Sequence, residues 1–148
     1  MAEFIIEIPF IDRFKDLLKQ APEVTMREMR AAADRSLTRL QKRERQEMPR
    51  RSGKMASSVQ KRIEGMGGRV GPRIFYAPYV HDGTKPHTIL PRNKKALWWP
   101  GAAHPVRRVQ HPGTKPNPFV ERTLKGEKVA VKNEYVKAGE RILQSIKV

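Results

Sequence analysis

The sequence contains no cysteine. That excludes disulfides and thiolate metal sites, and it is compatible with a reducing cytoplasm. Acids are scarce beside bases: 15 Asp+Glu stand against 31 Lys+Arg, a formal net charge of +16. Apolar residues make up 38% and aromatics 7% of the chain. The usual apolar share of a globular domain is about 45–50%. No apolar run approaches the roughly 18 residues that cross a bilayer, so no membrane partner is expected. The opening Met1-Ala2-Glu3-Phe4 lacks the basic stretch of a secretory signal, and a soluble protein is expected.

What is present is turn chemistry and positive charge. Twelve prolines and ten glycines in 148 residues predict a small core with long surface excursions. The length suits one domain over 1–148, with an N-terminal segment at 1–21 and an extended arm at 84–118. The charge attracts nucleic acid, anionic membrane or acidic protein surfaces. By itself it does not choose among them, and it also serves as ordinary solvated surface.

Residues Glu3 to Ile8 alternate weakly, as a strand would, and Phe14, Leu17 and Leu18 suggest a helical turn. The clearest helix runs from about Pro22 to Glu47. Met26, Met29, Ala33, Leu37 and Leu40 recur at steps of three and four, and Met48 extends the stripe. Arg27, Arg30, Arg35, Arg39, Lys42, Arg43 and Arg45 cover much of the other surface. Pro49 ends the helix, because proline disfavours a helical residue before it. Met55 to Ile63 reads as a short helix entering a strand. Gly65-Met66-Gly67-Gly68 reads as a hairpin connection, and Arg69 to Phe75 as the returning strand. No Lys-Ser/Thr pair follows those glycines, so a phosphate cradle is not expected.

From Lys85 to Pro118 the chain is rich in proline. Ile89-Leu90 and Ala96-Leu97-Trp98-Trp99 flank the basic turn Arg92-Asn93-Lys94-Lys95, which predicts a two-stranded arm. Val106 to Val109 is a further short strand candidate. A last helix is expected from about Pro118 to Ile146, with Phe119, Val120, Leu124, Val131, Tyr135, Ala138, Ile142 and Ile146 on its apolar side. Gly126 and Gly139 each weaken it by roughly 1 kcal/mol if interior. The order predicts an α+β fold, a small antiparallel sheet against a long N-terminal and a C-terminal helix.

No catalytic, cofactor-binding or metal site is expected. His81, His87, His104 and His111 match no helical ligand pair, and Asp82 is the one carboxylate close to them. No serine stands in a nucleophile-elbow setting. Trp98 and Trp99 can stack on bases or anchor a protein interface, and the interface is the favoured reading.

Four segments resemble one known family in its own order. They are Pro49 with Ser52-Gly53-Lys54-Met55 and Ser57-Ser58-Val59; Tyr76-Ala77-Pro78-Tyr79-Val80-His81-Asp82-Gly83-Thr84; Ile89-Leu90-Pro91 with Lys95-Ala96-Leu97-Trp98-Trp99; and His111-Pro112-Gly113-Thr114-Lys115-Pro116-Asn117-Pro118-Phe119. Together they resemble the tail-completion or head–tail joining proteins of lambdoid and related siphophages, over roughly 13–147. His81-Asp82 is a departure, since relatives often carry a Glu near that point. The resemblance implies a non-enzymatic neck or tail-completion subunit, one copy in a homo-oligomeric ring, a hexamer. It implies assembly in the host cytoplasm, residence in the virion, and contact with tail-tube or head-closure proteins. Ile89, Lys94, Lys95, Leu97, Trp98 and Trp99 are then the expected docking residues. Arg35, Arg39, Lys42 and Arg43 are expected to meet acidic subunits or passing DNA. The alternative is a basic DNA- or RNA-binding protein. A third reading is a small hydrolase using His81 and Asp82.

Overall fold

Helix α1 covers Pro22–Glu47. Pro22 suits the first turn, and Glu23 there complements the helix dipole. Met48 is extended, with ψ 147°, as the following Pro49 requires. The computed structural model describes Lys19 and residues 21–146. The strand expected at 3–8 and the turn at 14–18 lie outside the described residues.

After α1 come a short helix α2 (Lys54–Ser57), strands β1 (Val59–Glu64) and β2 (Gly67–Pro72), and helix α3 (Ala77–His81). Strands β3 (His87–Ile89) and β4 (Val109–His111) follow, and helix α4 (Phe119–Ile146) closes the order. The fold is α+β, as expected. The single sheet is instead two separate antiparallel pairs, β1 with β2 and β3 with β4. The returning strand begins at Gly67 and ends at Pro72, earlier than expected, since only Gly65-Met66 are needed to turn the chain.

α1 and α4 pack together and run antiparallel. Four ion pairs show the direction: Glu28 with Arg141 at 2.8 Å, Arg35 with Glu134 at 2.7 Å, Arg39 with Glu127 at 3.1 Å, and Glu47 with Arg122 at 2.9 Å. Between them Ala32 and Ala138 are fully buried, and such small side chains let the helix backbones approach closely. Met29 and Ile142 fill the same seam. The buried face of α1 also contains Thr25, Ser36 and Glu44, which its apolar pattern did not mark. Met26, expected on that face, is 44% exposed.

A second cluster joins Met48, Met55, Val59, Ala77 and Phe119. The β1–β2 hairpin lies on α1 through it. The Val59 carbonyl accepts from Gln41 Nε2 at 2.8 Å and Arg45 Nη2 at 2.9 Å. Gly68 is needed there, because a β-carbon would collide with the Arg62 carbonyl and the Leu37 side chain. Tyr135 of α4 donates to the Met66 carbonyl at 3.0 Å and ties down the far end of the hairpin.

Candidate functional site

The arm leaves the core at α3 and returns at α4. At its base the backbones of Thr84 and Thr114 exchange two hydrogen bonds, of 2.9 and 3.1 Å. Gly83 and Gly113 flank that bridge with φ +75° and +89°, a left-handed backbone that glycine adopts without steric cost. The Asn117 amide donates to the Val80 and His81 carbonyls at 3.1 and 3.0 Å. Arg122 clamps the return, donating to Asn117 Oδ1 at 2.6 Å, the Glu47 carbonyl at 3.0 Å and Glu47 Oε2 at 2.9 Å.

Outward from the base, His87 pairs with His111, Thr88 with Gln110 and Ile89 with Val109. Leu97 then bridges Val106 through bonds of 2.7 and 3.0 Å. This corrects the expected pairing of Ile89-Leu90 with Ala96–Trp99. The true hairpin is longer, and its ladder is interrupted where residues 90–96 face only Arg107 and Arg108. Trp98 and Trp99 lie outside the strands, at the tip. There the Ala102 amide donates to the Trp99 carbonyl at 3.0 Å. Pro100 followed by Gly101 at φ +94° suits a type II turn.

Of the expected docking residues, Trp98 is 64% and Trp99 46% exposed, with Ile89 and the neighbouring Leu90 also exposed. Lys94 and Lys95 are exposed, and Leu97 is half-buried. A two-stranded hairpin is marginal alone in water. One that presents two tryptophans to solvent is better suited to a partner surface.

The expected assembly charges divide. Arg35 and Arg39 pair with Glu134 and Glu127 of α4, and Arg43 pairs with Glu47 at 2.7 Å. Their charge is therefore largely neutralised within the chain. Lys42 looks the other way, into an open groove of about 740 Å³ that Arg45, Arg50 and Ser52 also line.

A second cluster lies at the foot of the arm, where sequence reasoning paired His81 with Asp82 but missed Glu121 and Glu44. His81 Nδ1 lies 2.6 Å from Asp82 Oδ1, and its Nε2 lies 2.7 Å from Glu121 Oε2. The ring stands edge-on to Phe119, with centroids 5.0 Å apart. Burial opposes the charged ring, but the two carboxylates outweigh it and raise its pKa. Both nitrogens are engaged by carboxylates, so neither is left to activate a nucleophile. Near them Glu44 is 2% exposed, and its carboxylate finds no hydrogen-bond partner among the described residues. Burial pushes it up to about 7, and the charge of His81 opposes that rise. The one sequence signal for Glu44 is its register, since it falls between Leu40 and Met48 on the apolar stripe of α1. Among the described residues no group of histidines and acids could hold a metal ion.

No helix among the described residues is long and apolar enough to cross a membrane. Protein-family models, curated proteins and solved structures show no match to this chain.

Proposed function

We propose that this chain is a structural subunit of a tailed-phage particle, without enzymatic activity, working as one copy in a closed ring of six. It completes the head-proximal end of the tail or joins tail to head. Its neighbours are copies of itself and tail-tube or head-closure proteins. It assembles in the host cytoplasm and resides in the virion.

The observation that carries this reading is the arm. A small helical core projects a long hairpin whose tip presents Trp98 and Trp99 to solvent. Prolines and the glycine-flanked base hold the hairpin in shape, which lowers the ordering cost of docking. Head-to-tail contacts of this kind close into rings when the rotation permits. The four segments similar to siphophage neck proteins supply the class of particle.

The test is Trp98→Ala with Trp99→Ala in the phage that encodes the chain. The purified variant keeps its fold and thermal stability, since both side chains are exposed. Heads and tails accumulate separately, or tails lack a proper end. Normal yields of infectious particles from this variant, or particle images with a single copy at the neck, overturn the reading.

A further inference from the structure

The arm concentrates cations that the structure leaves unpaired. Residues 84–118 contain Lys85, Arg92, Lys94, Lys95, Arg107, Arg108 and Lys115, and no Asp or Glu. All seven are exposed. None makes an ion pair among the described residues, whereas Arg35, Arg39, Arg43, Arg122 and Arg141 all meet glutamates. The nearest acids in the chain, Asp82 and Glu121, both turn to His81.

Topology then gathers five of the seven. The ladder is interrupted between Ile89–Val109 and Leu97–Val106. Arg92, Lys94 and Lys95 lie in that interval on one side, and Arg107 with Arg108 on the other. Like charges gathered on one short hairpin repel each other, and an anion bound between or above them relieves that repulsion.

We propose that this mid-arm cluster binds the phosphate backbone of duplex DNA without reading its sequence. Complementary potentials set a positive patch against a negative one. The arm offers one sign only, which matches a uniform lattice of phosphates. A duplex carries one charge per roughly 1.7 Å of axis, and its major groove admits a two-stranded ribbon. The assignment goes beyond the ring reading and does not depend on it, because the binding belongs to the purified chain.

Fluorescence anisotropy with labelled duplexes of unrelated sequence, across a salt series, tests it. Five phosphate contacts make affinity fall several hundredfold, on the order of 500-fold, between 50 and 200 mM salt. Replacing Arg92, Lys94, Lys95, Arg107 and Arg108 together by Gln reduces the slope of log affinity against log salt by about 4.5. The partial variants, Arg92→Gln/Lys94→Gln/Lys95→Gln and Arg107→Gln/Arg108→Gln, each remove a proportionate share. Trp98→Ala/Trp99→Ala keeps the slope, which separates this site from the docking tip. An unchanged slope in the fivefold variant overturns the proposal. So does tighter binding to single-stranded DNA, or to polyglutamate, than to duplex at equal salt.

Discussion

Gly83 and Gly113 face each other's strands across the base of the arm. A β-carbon on Gly83 would strike the Thr114 carbonyl, and one on Gly113 would strike the Thr84 carbonyl. Each carbonyl is also the acceptor of the bridging hydrogen bonds between Thr84 and Thr114. The crossing is thus as tight as the backbone permits, and both glycines adopt φ values that side chains disfavour. It fixes where the arm leaves the core, and with it where the tip can reach.

Gly83→Ala and Gly113→Ala should each cost at least about 1–2 kcal/mol from the left-handed backbone alone, with the collision added. Chemical denaturation reads the loss. Amide exchange at Thr84 and Thr114 should accelerate more than exchange in α1. Wild-type protection at both amides in either variant would mean that the crossing does not hold the arm.

Glu44 and His81 make stability fall as the solution turns alkaline. The folded pKa of Glu44 is raised, to about 7, so its contribution is complete below the ordinary value of 4.5 and is lost as pH rises toward and through 7. His81 is also raised, so its contribution is complete below 6.5 and is lost as pH rises through the folded value. Glu28, Glu47, Glu121 and Glu134 are lowered, the first two and the last chiefly by arginine hydrogen bonds and Glu121 chiefly by its own backbone amide. Their contributions are lost as pH falls below 4.5. Thermal midpoints should therefore peak in mild acid, between about pH 5 and 6. Glu44→Gln should flatten the decline toward pH 8 and stabilise the protein there by about 2–3 kcal/mol. A wild-type midpoint that climbs steadily to pH 8 would contradict this.

Arg122 links three parts of the chain at one guanidinium: the end of α1, the returning arm and the start of α4. Arg122→Ala should cost about 1–2 kcal/mol, read by urea unfolding. The coupling to the Glu47 carboxylate should be the smaller share of that loss in a double-mutant cycle, because both side chains reach solvent. Most of the loss should then come from Asn117 and the Glu47 carbonyl. A cycle that assigns the whole effect to the Glu47 carboxylate would show the clamp to be a simple ion pair.

The sequence by itself determined the two long helices and the hairpin after α2. These are local. A stripe at steps of three and four marks a helix wherever it packs, and Pro49 or Gly83 acts on its own backbone. The fold class followed. Only the tertiary structure decided which residues meet. Ile89 found Val109 rather than Trp98, because the register is set by the glycine crossing beneath it and not by the nearer apolar run. Arg35 found Glu134, 99 residues away in the chain. A helix's own sequence shows that it has a basic face but not which acids will lie against it. The register of Glu44 with Leu40 and Met48 marks it for burial, but only packing placed it beside His81. Sequence periodicity records which face is apolar. Charge compensation, desolvation and strand register depend on distance in space, and they exist only once the chain is folded.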